Sequence, residues 1–71
     1  MYSGRSDADV QKFQKRLMEL GYLSGVSGTY DSNTVKAVKQ VQSALGLRDN
    51  SGIATRELQA FLYKMGDVIK K

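Results

Sequence analysis

The sequence predicts an all-α fold, a small three-helix bundle, on three observations. Three apolar series step by three or four residues, each series runs into a glycine, and no proline interrupts the chain. In the first, Val10, Phe13, Leu17 and Leu20 share one helical face. Asp7 and Asp9 sit at its start, where the helix dipole favours acids. Gly21 suits the left-handed stop, and Tyr22 folds back on the preceding turn as the Schellman motif expects. Leu23 to Tyr30, with Gly25, Gly28 and two serines, is a loop. Asp31 or Ser32 then caps a second helix carrying Val35, Val38, Val41 and Leu45, closed by Gly46. Its valines lower intrinsic helix propensity, so packing must hold it. A second loop, Arg48 to Gly52, leads to Thr55 as the third cap and to Leu58, Phe61, Leu62 and Met65 before Gly66.

The halves echo each other. Val10, Phe13, Gln14 and Leu17 recur as Val38, Val41, Gln42 and Leu45, and Leu20-Gly21-Tyr22 recurs as Leu45-Gly46-Leu47. Gly28 pairs with Gly52 and Thr34 with Thr55. A duplicated helix-loop-helix unit explains this internal pseudo-repeat. The folded domain is expected over residues 7–65, with 1–6 and 66–71 as flexible termini. The expected core is Val10, Phe13, Leu17, Leu20, Val35, Val38, Val41, Leu45, Leu58, Phe61 and Leu62. Tyr63 is expected as a half-exposed flank.

Composition narrows function by exclusion. Seventy-one residues make one domain, and a chain of this mass buries roughly 60% of its surface. Without Cys or His there is no structural zinc site, thiol nucleophile or imidazole base. Only seven carboxylates could carry chemistry. A glycosidase needs two of them at a set separation around a long cleft, which so short a chain can hardly build. Asp31 and Asp49, the loop candidates, have ordinary roles as caps or turn formers. A net charge of +4 and a pI near 9.6 favour an anionic partner without naming one. Lys12, Lys15 and Arg16 on the first helix and Lys36 and Lys39 on the second read as a solvated face. No apolar run reaches the roughly 18 residues of a membrane span, and Met1 to Asp7 holds no signal core.

Val10-x-x-Phe13-Gln14-x-x-Leu17-x-x-Leu20-Gly21-Tyr22, Gly28-x-Tyr30-x-x-x-Thr34-x-x-Ala37-Val38-x-x-Val41-Gln42, Gly46-Leu47 and Gly52-Ile53-Ala54 form an ordered set. Over about residues 8 to 64 it resembles the type 1 peptidoglycan-binding domain. Departures are Ser27 where that family usually has Asp, Asp31 where it usually has Gly, and Val41 where an aromatic is common. The resemblance implies a non-catalytic module, fused to a cell-wall hydrolase such as an amidase, peptidase or muramidase, that binds the glycan strand or stem peptide of peptidoglycan. It implies an extracellular or cell-envelope location within a larger bacterial or phage protein. A monomer with no cofactor, metal, nucleic acid or inserted membrane segment is expected. The alternatives are a protein-interaction domain on the same scaffold and a small helix-turn-helix. The turn between the first two helices is too long for the latter, which expects three or four residues.

The duplicated layout places a candidate ligand site where the first loop, the start of the second helix and the second loop converge. It comprises Tyr30, Ser32, Asn33, Thr34, Arg48, Asp49 and Asn50. Helix-start amides offer hydrogen-bond donors, although the Asp31 or Ser32 side chain competes for them as a cap. Arg48 offers a bidentate partner for a stem-peptide carboxylate. The Tyr30 ring has two readings, packed inward or presenting its hydroxyl to a groove. Tyr22 reads as a capping and packing residue rather than a sugar platform.

Overall fold

The computed structural model describes residues 4, 6–47 and 51–71. Among these, three α-helices form the domain: α1 (Ala8–Glu19), α2 (Ser32–Ala44) and α3 (Arg56–Met65), with a short 3-10 turn over Gly66–Ile69. The only extended pairing among the described residues is an isolated bridge between Ser6 and Thr29. No described helix is long and apolar enough to cross a membrane.

Each helix begins on a side-chain cap. Asp7 accepts from the Val10 amide, Asp31 from the Thr34 amide and Thr55 from the Leu58 amide. The choice between Asp31 and Ser32 therefore falls to Asp31. Both α1 and α2 end in Schellman motifs: Tyr22 N–H donates to Leu17 O at 2.9 Å, and Leu47 N–H to Gln42 O at 3.0 Å. Gly21 at φ 87° and Gly46 at φ 71° supply the left-handed turn. Gly66 differs from the expected stop. Its φ of −56° is right-handed, and the chain runs on through it into the 3-10 turn.

The core contains Val10, Phe13, Leu17, Leu20, Val38, Val41, Leu58 and Leu62, together with Tyr30, Ala37 and Ala54. Val35, Leu45 and Phe61 are only partly buried against it. Loop residues take part of the expected helical share, because each loop tucks one side chain inward just before its cap, Tyr30 before Asp31 and Ala54 before Thr55. The structural repeat thus pairs Asp31 with Thr55, each three residues after its loop glycine, and not Thr34 with Thr55.

Residues 66–71 do not hang free. Gly66 packs so closely that an added Cβ would lie 2.9 Å from Leu20 Cδ1. Lys71 N–H donates to Leu20 O at 2.9 Å, and the Tyr22 hydroxyl donates to Ile69 O. At the other end, Gly4 N–H reaches Tyr30 O at 2.9 Å. Arg16 also departs from the solvated face. Its Nε donates to Leu62 O at 2.7 Å near the end of α3, and its guanidinium lies 3.8 Å from Glu19 and 3.7 Å from Asp67.

Candidate functional site

Two buried glutamines shape the loops that border the site. Gln14 Oε1 accepts from Gly28 N–H at 2.9 Å while its Nε2 donates to Thr29 O at 2.8 Å. Gln42 does the same one repeat later, accepting from Gly52 N–H at 3.0 Å and donating to Ile53 O at 3.2 Å. A buried carboxamide has two donor hydrogens and an acceptor oxygen to satisfy, and the N–H of a loop glycine with the C=O of the next residue answers both sides of it. Gln14 Nε2 also meets Thr34 Oγ1 at 2.9 Å, and that hydroxyl lies 3.1 Å from Asp31 Oδ1. The interior of α1 is thereby tied to the cap of α2.

Asp31 is partly exposed, and its other oxygen lies 3.0 Å from Ser27 Oγ. These are the two loop positions that depart from the family pattern, and they touch. The Thr34 amide above all, helped by the Ser27 and Thr34 hydroxyls, holds the Asp31 carboxyl below its ordinary range, against the opposing effect of burial. A full charge therefore stands here at neutral pH.

A groove opens between this loop and α2. Its first hollow, about 260 Å³, is lined by Leu23, Ser24, Val26, Ser27, Asp31 and Asn33, among others. A second, about 390 Å³, shares Leu23, Ser24 and Asn33 with the first and adds Lys36 and Gln40. A third, about 630 Å³, shares Tyr22 and Gln40 with the second and adds Lys39, Ser43 and Lys71. The shared residues place the three shallow hollows side by side along α2.

The sequence-derived site residues divide. Ser32 and Asn33 are exposed, and Asn33 lines the first two hollows. Thr34 is buried, its hydroxyl engaged with Gln14 and Asp31. Tyr30 is fully buried and donates to Gly52 O, so its hydroxyl joins the two loops instead of facing a groove. Burial pushes its phenol up to about 12, partly offset by the Ala54 amide. Arg48, Asp49 and Asn50 lie outside the described residues. The hollows are also lined by Leu23, Ser24, Val26, Lys36, Gln40 and Lys71, which the sequence-derived set does not include. The signal for part of this set was present, because Asn33, Lys36 and Gln40 follow one another at helical spacing.

No cluster of metal-ligating side chains is present among the described residues. Residues 6–62 match the family described as putative peptidoglycan binding domain, and the chain belongs to that family. A protein of Arabidopsis thaliana, the chloroplastic protein disulfide isomerase pTAC5, is 38% identical over 69 residues. The aligned region covers 92% of this chain but only 18% of that protein. No solved structure matches the chain.

Proposed function

We propose that this domain binds peptidoglycan without acting on it, and that in a longer protein of the cell envelope it holds a joined cell-wall hydrolase on its substrate. The observation that carries this reading is the open groove along α2 in a chain of this family. Its walls offer amides, hydroxyls and cations that can hold a sugar–peptide polymer. Four of the seven carboxylates have structural duties: Asp7 and Asp31 cap α1 and α2, while Glu19 and Asp67 flank Arg16. In this reading Ser32 and Asn33 touch the ligand, Tyr30 and Thr34 support the loop behind them, and Arg48, Asp49 and Asn50 remain candidates on the sequence layout. The test is co-sedimentation with purified, insoluble bacterial cell walls while turbidity is followed. The chain sediments with the walls, and turbidity stays constant. Clearing of the suspension by this chain alone would overturn the non-catalytic reading.

A second reading, a protein-interaction domain on the same scaffold, is favoured by the similarity to a plant chloroplastic isomerase. Failure to sediment with walls of several bacterial types would select it. Residues 20–31 separate α1 from α2, against the three or four of a helix-turn-helix, which disfavours the DNA-binding alternative.

A further inference from the structure

The groove is electrically polar. At one end stands the Asp31 carboxylate, engaged by Ser27 and Thr34 yet still lining the first hollow. Toward the other end the lining carries Lys36, then Lys39 and Lys71. Neither Lys36 nor Lys39 has an ion-pair partner among the described residues. Lys71 is held in place, its Nζ 4.7 Å from the Tyr22 ring centroid and 2.7 Å from Gln40 Oε1. It belongs to the segment folded back beyond residues 6–62, so this end of the groove extends past the part of the chain that matches the family.

From Asp31 to Gln40 the helix advances about 13 Å at 1.5 Å per residue. In an extended stem peptide a side-chain amine on the third residue and the carboxylate of the fourth stand on the order of 10 Å apart, within that length. We propose that the groove takes an extended peptide with a free amine at the Asp31 end and a free carboxylate at the Lys36 and Lys71 end, the chemistry of a peptidoglycan stem peptide. The inference rests on the peptidoglycan reading and adds which part of the polymer is read, and in which direction. A bare glycan strand offers no such pair of charges. Opposite charge at each end favours one orientation and penalises the reverse, where like charges would meet.

The test titrates the full chain, at low ionic strength where exposed charges are least screened, with three synthetic stem tetrapeptides whose third residue is lysine. All three have an acetylated N-terminus, in place of the bond to the glycan; one has its ε-amine and C-terminal carboxylate free, one is ε-N-acetylated, and one is a C-terminal amide. Each blocked peptide binds about three- to tenfold more weakly than the free one. In Asp31→Asn, which keeps a competent cap, the acetylated and free peptides bind alike. In the double variant Lys36→Gln/Lys71→Gln the amide and the acid bind alike, and the Lys71 backbone bond to Leu20 does not need the side chain. Equal affinity for all three peptides overturns the inference, as does discrimination that survives these variants or is abolished by Arg48→Ala. Walls that sediment with the chain while no peptide binds also overturn it, and leave the wall reading standing. Failure of the chain to sediment overturns the wall reading beneath it.

Discussion

Gln42 grips the second loop at two points, accepting from the Gly52 N–H at 3.0 Å and donating to Ile53 O at 3.2 Å. The glutamine is itself buried, so its removal strands one donor and one acceptor. Each unsatisfied group costs about 1–3 kcal/mol, and a domain this small is stable by only about 4–10 kcal/mol. Gln42→Ala therefore lowers stability by about 2–4 kcal/mol, a fall in Tm of roughly 10–20 °C. Gln42→Glu keeps the acceptor but faces Ile53 O with another acceptor, so it does not rescue. Thermal melts of the two variants check both statements.

Gly52 has φ 81°, and an added Cβ would lie 2.6 Å from Val35 Cγ1 and 3.2 Å from Val35 O. Gly46 has φ 71° with nothing within 4 Å of such a Cβ. Alanine at Gly46 meets only the left-handed backbone cost of about 1–2 kcal/mol. At Gly52 it adds a clash with helix backbone that cannot move aside, so Gly52→Ala is the more damaging. Equal Tm losses would show that the approach of the second loop to α2 is looser than the structure has it.

Helix starts and two of the three stops were legible because each depends on a few adjacent residues, as Gly21, Gly46 and Thr55 do, whereas Gly66 is held right-handed by its packing on Leu20. The fate of Gln14, Gln42 and Tyr30 was not legible. The pairing of the two glutamines in a repeat showed in sequence, but polar residues at helical spacing look solvent-facing until the loop that satisfies them is placed. Arg16 misled for the same reason, since its partners are the far end of α3 and Asp67. The groove was half legible. Asn33 lay at a recognisable helix start, whereas Lys71 joins the lining only because the chain after α3 folds back on Tyr22 and Leu20.

The two ends of the pH range weaken the fold through neighbouring residues. Tyr30 has its phenol raised to about 12, so the folded state keeps a proton that the unfolded chain releases near 10. Its stabilisation is complete below about pH 10 and is lost as pH rises toward 12. Asp31 is shifted downward; its contribution holds above the ordinary carboxylate value and disappears as pH falls below about 4. Ultraviolet titration should show a tyrosine that ionises only as the domain unfolds at high pH. Asp31→Asn should flatten the loss of Tm on the acid side and leave the alkaline side unchanged.

The tail makes its own contribution. Cutting the chain after Met65 removes the Gly66 packing on Leu20, the half-buried Ile69 and two hydrogen bonds to Tyr22 and Leu20. These together are worth about 2 kcal/mol, or near 10 °C in Tm. Tyr22→Phe, which deletes only the bond to Ile69 O, should lose about half of that. An unchanged Tm in the truncated chain would mean that residues 66–71 are loosely held in solution.

Asn33 is the cleanest probe of the proposed binding face. It is exposed, it lines the first two hollows, and it lies in the first turn of α2, where alanine is an equal or better helix former. Losing one ligand hydrogen bond costs about 0.5–1.5 kcal/mol, so Asn33→Ala should weaken wall binding by roughly three- to tenfold at unchanged Tm. Thr34→Ala sets the contrast. Its hydroxyl is fully buried between Gln14 and Asp31, so its loss lowers Tm first and binding only in consequence. Lys15→Ala, on an exposed position of α1, should change neither. Chemical-shift mapping with muropeptides provides the independent check, with perturbations expected at Ser24, Asn33, Lys36 and Gln40. Perturbations confined to Lys12, Lys15 and Lys64 would move the site off the groove and onto the basic helical surface.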